Sequence, residues 1–353
     1  MDFTHYKDAF RQEASKNGYS EHNIQRCLDY ASVLFSHDVP VIYNTTHLST
    51  LVGYNKKYLK KASLYPKYFY RDFEITKKNG TKRPISEPLP SLKEIQIWIL
   101  RNILYKIPVS PFAKAYKPNS GLIENLKFHK NQPKVFTLDL ENFFPSISIK
   151  SIEKVFLELG YSRMISKLLA KLCARDKTLP QGAPTSPALS NLIFKDADAL
   201  ISSFCVDRKI RYTRYADDLS FSGDFDEKEL LGKVTEVVEN LNLHINVAKT
   251  KLMTPNMRQT VTGIVVNEKP QVAFHKRNDL RQAMHYIKKF GIDEHREYKE
   301  IDQRNYLEHL LGKVNFVLQI NPRDLEFIGY KAILIDLKKK QELKRKKVEP
   351  LLM

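Results

Sequence analysis

Two adjacent acidic residues, Asp217 and Asp218, constrain the fold of this chain more than any other feature of its sequence. β-Prone runs flank them at residues 210–215 and 219–223, which predicts a strand, a tight turn and a second strand. Neighbouring like charges repel, so such a pair is costly unless a cation neutralises it. A third carboxylate, Asp139, directly follows the apolar run 135–138 and makes a bound cation the favoured interpretation.

These three residues, called the aspartate triad below, have the oxygen ligands that suit Mg²⁺. This ion keeps several waters and often completes its shell with substrate phosphates. Two such ions roughly 3.5–4 Å apart can stabilise the attacking and leaving oxygens of a phosphoryl transfer. We therefore predict Asp139, Asp217 and Asp218 as both the metal ligands and the catalytic residues. The alternative is an ordinary acidic hairpin turn, since Asp is a favoured turn residue.

The charge balance indicates a polyanionic partner. The 353-residue chain has 58 Lys and Arg against 40 Asp and Glu, a net charge of +18, and is long enough for one large domain or two to three subdomains. Such an excess does not fit an ordinary metabolic enzyme and favours nucleic acid. The alternative is a solvated basic surface that serves only solubility.

The sequence predicts an intracellular, cytoplasmic protein without a membrane partner. The first six residues are polar, with no apolar core of signal-peptide length, and no run approaches the ~20 apolar residues that span a bilayer. Cys27, Cys173 and Cys205 are far apart, which suggests neither a disulfide framework nor a zinc site.

Local patterns predict a mostly helical chain with short strands. Residues 68–86 read as a hairpin around the turn Lys78-Asn79-Gly80, because Asn-Gly between β-prone runs is a strong hairpin signal. Residues 249–252 and 260–266 suggest a second hairpin-like pair. The chain ends in a basic segment at 338–347. Helices are predicted near 21–35, 54–61, 91–107, 149–159, 162–173, 187–204, 227–241, 277–290, 303–320 and 323–340.

Three ordered motifs, at residues 138–147, 179–187 and 215–218, resemble those of reverse transcriptases, specifically the bacterial retron enzymes. Residues 138–147 (LDLENFFPSI) look like the first metal-binding motif, and residues 179–187 (LPQGAPTSP) are similar to the nucleotide-pocket motif. Tyr215-Ala216-Asp217-Asp218 resembles the second metal-binding motif. The resemblance extends over roughly residues 65–275.

The resemblance implies an α+β, right-hand polymerase fold. Its expected parts are an N-terminal helical segment (1–66), fingers interleaved with palm (67–135), a palm with part of the fingers (136–274) and a helical thumb with a basic C-terminus (275–353). The palm is expected to contain a small antiparallel sheet. The implied reaction is RNA-templated DNA synthesis with two Mg²⁺ ions per active site.

The resemblance also implies a set of nucleotide-binding residues. Phe144 lies where the family places a bulky ring that collides with a 2′-OH, although Phe143 or Phe144 is also expected to pack in the core. Gly182 lets the backbone approach a ligand closely. Lys249 lies where the family has a lysine near the phosphates, with a solvated lysine as the alternative. The complete predicted set is Lys82, Arg83, Phe144, Gln181, Gly182, Tyr215 and Lys249.

A second implied set binds RNA. Residues 125–129 (NLKFH) resemble the retron NAxxH signature, with Leu126 where alanine is usual, and Val261-Thr262-Gly263 matches the retron VTG triplet. The basic thumb would follow a phosphate backbone, with shape and 2′-hydroxyl contacts as the expected readout of paired RNA. Phe290 is expected in the core. The predicted RNA-binding residues are Asn125, His129, Val261, Thr262, Gly263, Lys276, Arg277 and Arg281.

The implied partners are the protein's own noncoding RNA as template and primer, the resulting cDNA, deoxynucleoside triphosphates and a retron effector protein in antiphage defence. Synthesis would start from the 2′-OH of an internal guanosine and leave a branched RNA–DNA hybrid. The alternatives are a group II intron maturase or an abortive-infection reverse transcriptase. For a maturase, residues 275–353 are expected to be too short. A catalytically idle RNA-binding protein on a polymerase scaffold is the alternative from another class.

Overall fold

The computed structural model describes residues 2–77, 80–118, 120–302 and 305–348. The chain is α+β. Its helices are α1 (Phe3–Lys16), α2 (Glu21–Ser36), α3 (Thr45–Val52), α4 (Lys56–Leu64), α5 (Pro90–Asn102), α6 (Leu122–Lys127), α7 (Phe143–Ser146), α8 (Ile149–Glu158), α9 (Arg163–Cys173), α10 (Ser186–Ile193), α11 (Lys195–Asp207), α12 (Glu227–Glu239), α13 (Phe274–Phe290), α14 (Ile292–Tyr298), α15 (Tyr306–Ile320) and α16 (Leu325–Val348). Its strands are β1 (Tyr70–Thr76), β2 (Lys82–Pro88), β3 (Lys134–Asp139), β4 (Arg211–Tyr215), β5 (Asp218–Gly223), β6 (Lys251–Met253), β7 (Thr260–Val261), β8 (Ile264–Val265) and β9 (Gln271–Val272). Within the described parts of the chain, no helix is long and apolar enough to cross a membrane.

The described residues form two compact units. The first is built from residues within 1–120, 138–219 and 225–250, and the second from residues within 121–137, 220–224 and 251–353. The strands β3 and β5 each contribute residues to both units. The expected division into N-terminal segment, fingers, palm and thumb stays a prediction.

Side-chain caps start the helices of the N-terminal segment. Asp2, Ser20, Asn44 and Asn55 each accept a hydrogen bond from the backbone N–H three residues later, which satisfies a donor that the first helical turn leaves unpaired. The helix predicted at 21–35 is confirmed as α2. The one predicted at 54–61 begins later, because Asn55 is its cap.

The predicted first hairpin is confirmed. β1 and β2 pair antiparallel from Tyr70 opposite Pro88 to Thr76 opposite Lys82. Two residues of the predicted turn, Lys78 and Asn79, lie outside the described residues.

Two predicted helices differ from those in the structure. The helix predicted at 91–107 ends at Asn102, because Ile103 leaves helical geometry (φ −120°, ψ −64°) and a 3₁₀ turn follows at Leu104–Lys106. The helix predicted at 187–204 is split into α10 and α11 at Phe194, whose ψ is 0°.

The four-stranded sheet has the order β4-β5-β3-β6 and carries the predicted strand–turn–strand around Asp217. The predicted second hairpin is wrong. β6 pairs antiparallel with β3, and β7 pairs with β8 and then β9 in a separate sheet. Thr262 (φ 47°) and Gly263 (φ 78°) both have positive φ, as a two-residue type I′ turn requires, and so close the β7–β8 hairpin within the VTG triplet.

The second unit has its own hydrophobic core, to which α13, α15 and α16 contribute buried residues such as Met284, Val314 and Phe327. The expectation that Phe290 lies in this core is wrong, since it is 50% exposed. The buried stripe of α13 is Leu280, Met284 and Ile287. At 3.6 residues per turn, Phe290 lies roughly 90° around the helix from that stripe.

Candidate active site

The aspartate triad gathers where β3 ends and β5 begins. Ala216, with φ 60°, forms the turn between β4 and β5 together with Asp217. The backbone N–H of Leu140 donates to the Asp217 carbonyl (3.1 Å), so the residue after Asp139 lies beside the turn. The Asn246 N–H donates to the Asp139 carbonyl (2.8 Å) on the other side. The structure therefore brings Asp139 together with Asp217 and Asp218, which lie 78 and 79 positions later in the sequence.

Two carboxylates of the aspartate triad, Asp217 and Asp218, have raised pKa values. Burial raises the pKa of Asp218 to about 6, and the charges of Asp217 and Asp139 add to the effect. Burial also raises the pKa of Asp217, while Lys249 and Arg83 act in the opposite direction. The Lys249 ammonium lies 2.7 Å from a carboxylate oxygen of Asp139. The predicted residues Lys249 and Arg83 are thus within electrostatic reach of the acidic cluster.

The carboxylate oxygens of the triad are ligands that suit Mg²⁺, although the side chains are not arranged as a complete coordination site. In the part of the chain that the structure describes, no group of three or more His, Cys, Asp or Glu is arranged to hold a metal ion. Lys249 engages one oxygen of Asp139 instead. Because Mg²⁺ is usually bound through one or two carboxylates plus waters and substrate phosphates, a preformed cage is not required.

A fully buried arginine, Arg214, donates a hydrogen bond to the turn between β4 and β5. Arg214 donates through Nε and Nη2 to the two carboxylate oxygens of Asp198 (2.9 and 2.8 Å). Its Nη1 donates to the Asn191 side-chain oxygen (3.0 Å) and to the Ala216 carbonyl (3.1 Å). The Tyr212 hydroxyl completes the network by donating to Asp198 (2.7 Å). This network holds the residue that directly precedes the acidic pair.

Sequence reasoning missed Arg214 and Asp198. The available signal was an arginine inside a β-prone run, because a charged residue is almost never fully buried unless it is paired. Both side chains are 0% exposed. The sequence did not indicate which acid was the partner.

The two neighbouring phenylalanines have different environments. Phe143 is buried, whereas Phe144 is partly exposed, which confirms that one of the two packs in the core. The Phe144 ring lies 5.5 Å from that of Phe143 and 6.2 Å from that of Tyr116, measured between centroids. Burial raises the pKa of Tyr116, and the nearby Asp217 charge adds to this. Tyr116 is therefore a further residue at the site, and no pattern in the sequence marked it.

The predicted loop residues Gln181 and Gly182 lie against the β1–β2 hairpin. The Ser86 N–H donates to the Gln181 carbonyl (2.7 Å). Gly182 has φ 124°, and a Cβ there would lie 2.8 Å from the Ser86 carbonyl oxygen. Glycine is required here because the hairpin backbone approaches so closely. Lys82, on the exposed part of the hairpin, pairs with Glu74 (2.7 Å).

Tyr215 is the last residue of β4 and is partly exposed beside the turn.

Asn125 and His129 are both fully buried in the second unit, where His129 Nδ1 lies 2.8 Å from the Ser222 hydroxyl. This burial favours a supporting role for their side chains, and direct RNA binding by them stays a prediction. Val261 is also buried, whereas Gly263 at the tip of the VTG turn is exposed.

The three basic residues predicted to bind RNA from the thumb differ in their exposure and in their ion pairs. Lys276 is exposed. Arg277 binds Asp324 (2.5 Å), and Arg281 binds Glu326 with Nε and Nη2 both at 2.8 Å from a carboxylate oxygen. These pairs tie α13 to the N-terminal end of α16. Arg277 and Arg281 would have to exchange a carboxylate for a phosphate in order to bind RNA directly.

Comparisons with known protein sequences agree with these motifs. The sequence profile of the family described as "Reverse transcriptase (RNA-dependent DNA polymerase)" matches residues 75–331, which include the whole triad. The retron Ec86 reverse transcriptase of Escherichia coli is 32% identical over 290 residues, 81% of this chain and 87% of that protein. The retron Mx162 reverse transcriptase of Myxococcus xanthus is 30% identical over 289 residues, 72% of this chain and 58% of that protein. A solved telomerase from Candida albicans, in complex with a TWJ fragment of telomeric RNA, is 11% identical, with a TM-score of 0.42 over 76% of this chain and 56% of its own.

Proposed function

This chain belongs to the reverse transcriptase family of RNA-directed DNA polymerases, and on that premise we propose that it copies its own structured noncoding RNA into DNA. The observation that carries the proposal is that Asp139 lies close to Asp217 and Asp218. A backbone hydrogen bond from the Leu140 N–H to the Asp217 carbonyl connects the two segments. An idle RNA-binding scaffold has no need of three clustered carboxylates, two of which, Asp217 and Asp218, have pKa values raised by burial and by neighbouring negative charge.

The triad would hold two Mg²⁺ ions. When bound, these ions supply charge stabilisation at the attacking and leaving oxygens and lower the pKa of the attacking hydroxyl. No side chain need then act as a general base. Lys249 and Arg83, which already influence the Asp217 charge, would orient the incoming triphosphate.

Phe144 would select deoxynucleotides. Its ring is partly exposed and packs against Phe143 and Tyr116, which restricts its movement. A rigid ring under the sugar leaves no space for a 2′-hydroxyl. Gln181 and Gly182 would form the adjacent wall of the nucleotide pocket, with Tyr215 next to the metal ligands.

The noncoding RNA would provide both template and primer. Similarity to retron enzymes supports priming from the 2′-OH of an internal guanosine, a branched RNA–DNA product and an effector protein as partner in antiphage defence. The exposed Gly263 turn and Lys276 belong to the surface that would bind a stem-loop of this RNA, and a net charge of +18 favours such binding.

The test replaces Asp217 and Asp218 by asparagine and measures incorporation of labelled deoxynucleotides on the co-purified RNA. We expect incorporation to fall to background with the RNA still bound. D224N is the matched control, because Asp224 is a highly exposed carboxylate close to β5. Undiminished synthesis by D217N/D218N would exclude the catalytic assignment. Sequencing the co-purified nucleic acid tests the retron assignment separately, since a 2′,5′ branch is its expected product.

A further inference from the structure

The side chain of Arg175 joins the β1–β2 hairpin to the loop that leads to Gln181. Its guanidinium forms a bidentate pair with Asp72 of β1, in which Nη1 reaches one carboxylate oxygen and Nη2 lies 2.6 Å from the other. Nη1 also donates to the Ser86 hydroxyl of β2 (2.6 Å). The same guanidinium lies over the Tyr70 ring, 5.6 Å from its centroid. One side chain therefore binds both strands of the hairpin.

The geometry of this pair matters more than its energy. The hydrogen bonds from Arg175 hold the pKa of Asp72 below its usual value. The Asp72 side chain is nevertheless 59% exposed, and exposed pairs contribute little to stability. Arg175 itself is only 12% exposed. A planar, bidentate guanidinium fixes the orientation of its partner, which a lysine cannot do.

A second attachment lies at the other end of the same loop. The Ser86 N–H binds the Gln181 carbonyl, and the absent side chain of Gly182 lets the two backbones meet. Ser86 therefore makes two hydrogen bonds to this segment: its hydroxyl accepts one from Arg175, and its N–H donates one to the Gln181 carbonyl. The segment 175–182 therefore contacts the hairpin at Asp72 on β1 and at Ser86 on β2, which lie opposite each other, and the outer part of the hairpin extends beyond this pair.

The outer part carries the predicted triphosphate ligand Arg83. It is three residues from Ser86 along β2, roughly 10 Å at 3.3 Å per residue. A 10° tilt of the hairpin about Ser86 would therefore move Arg83 by roughly 2 Å. A misplacement of ~1 Å can cost a factor of ~10² in rate when a reaction depends on positioning.

We propose that Arg175 is a positioning residue, which fixes the angle of the β1–β2 hairpin against the segment 175–182 and so sets where Arg83 meets the incoming nucleotide. The inference rests on the proposed nucleotide-binding role of Arg83. Arg175 touches no substrate and acts through the hairpin. Neither its position in the sequence nor the motifs assign it this role.

The test measures steady-state kinetics of the full chain on a supplied RNA template with an annealed DNA primer, with the deoxynucleotide concentration varied. For R175M we expect KM for the nucleotide to rise by ~10-fold or more, with affinity for the template–primer unchanged. R175K should give an intermediate value. The charge swap D72R/R175D should recover part of the loss, because the pair is re-formed in reverse.

The matched control is R71M. Arg71 belongs to the same hairpin and binds Glu87 (2.7 Å), but this pair lies within the hairpin and does not reach segment 175–182. Its KM should stay within about twofold of wild type, since an exposed pair contributes little. Fluorescence of Trp98, the single tryptophan, monitors folding in every variant. D72A breaks the same ion pair at its exposed partner, Asp72. This variant replaces R175M if R175M does not fold.

The outcomes separate two failures. An active wild type with an unchanged KM in both R175M and D72A overturns the positioning role alone. A KM increase that appears equally in R71M also overturns it, because any loosening of the hairpin would then suffice. A wild type that incorporates no deoxynucleotide on any RNA template removes the proposed function itself.

Discussion

Replacing Arg214 with methionine tests whether its buried ion pair positions the acidic turn or only fills the interior. The guanidinium makes two hydrogen bonds to Asp198 and one to the Ala216 carbonyl (3.1 Å). Methionine has a similar length but no charge and no donor. R214M therefore leaves a buried carboxylate unpaired and releases the carbonyl that precedes Asp217.

The cost in stability follows from burial. Breaking a fully buried ion pair on one side costs ~3–5 kcal/mol, because the remaining charge stays in the interior. This is a large part of the ~5–15 kcal/mol that stabilises a typical domain. In R214M/D198L no charge remains, and the Tyr212 hydroxyl loses its partner instead, at ~1–3 kcal/mol. We expect the double variant to be about 2 kcal/mol more stable than R214M.

The activity of R214M/D198L should not recover together with its stability. Neither variant has a donor for the Ala216 carbonyl, so the turn is misplaced in both, and RNA-templated incorporation should fall by ~10²-fold in each. Urea unfolding monitored by Trp98 fluorescence gives the stabilities, and rates are measured where both variants are folded. R211M is the control, since Arg211 is exposed on the same strand. Activity that recovers in R214M/D198L together with stability would refute the positioning argument.

Two further predictions concern the triad and the sugar pocket. Burial and the neighbouring charges of Asp217 and Asp139 raise the pKa of Asp218 from 3.8 to about 6. The metal-free folded protein therefore binds this proton more tightly than the unfolded chain, so the stability that Asp218 contributes should fall as the pH rises from ~4 to ~6, with Mg²⁺ restoring it above that range. Thermal unfolding of the wild type and of D218N, each with EDTA or Mg²⁺, measures this contribution as the difference between the two proteins. A difference that rises in favour of the wild type over this pH range in EDTA would contradict the prediction. F144A should raise the ratio of ribonucleotide to deoxynucleotide kcat/KM by ~10-fold or more, because the ring no longer blocks the 2′-OH. This change corresponds to a loss of ~1–3 kcal/mol of discrimination between the two sugars. An unchanged ratio would show that Phe144 does not select the sugar.

The sequence predicts those features of the site that depend on local pattern. β-Prone runs on both sides of an acidic turn predict β4 and β5. The resemblance to known motifs then joins Asp139 to the later pair. The proposed metal ligands can be found in the sequence because Mg²⁺ binding needs carboxylates at particular places.

The features that escaped prediction depend on contacts far apart in sequence. Asp72 and Arg175 are 103 positions apart, and neither lies in a pattern that names the other. β6 pairs with β3 across more than 100 residues rather than with its neighbour in sequence, because a three-residue strand has too little pattern of its own to specify a partner. Phe290 was misplaced because apolar character alone does not define which side of a helix faces the core.

The ion pair between Lys249 and Asp139 gives the resting enzyme its own counter-ion. The lysine side chain is 61% exposed, and an exposed pair of this kind contributes ~1 kcal/mol or less. If the triad binds magnesium and a nucleotide as proposed, the incoming complex would therefore displace the ammonium from the carboxylate at little cost in free energy. Lys249 would then be available to bind a phosphate of that nucleotide, and until then it would offset part of the negative charge of the acidic cluster.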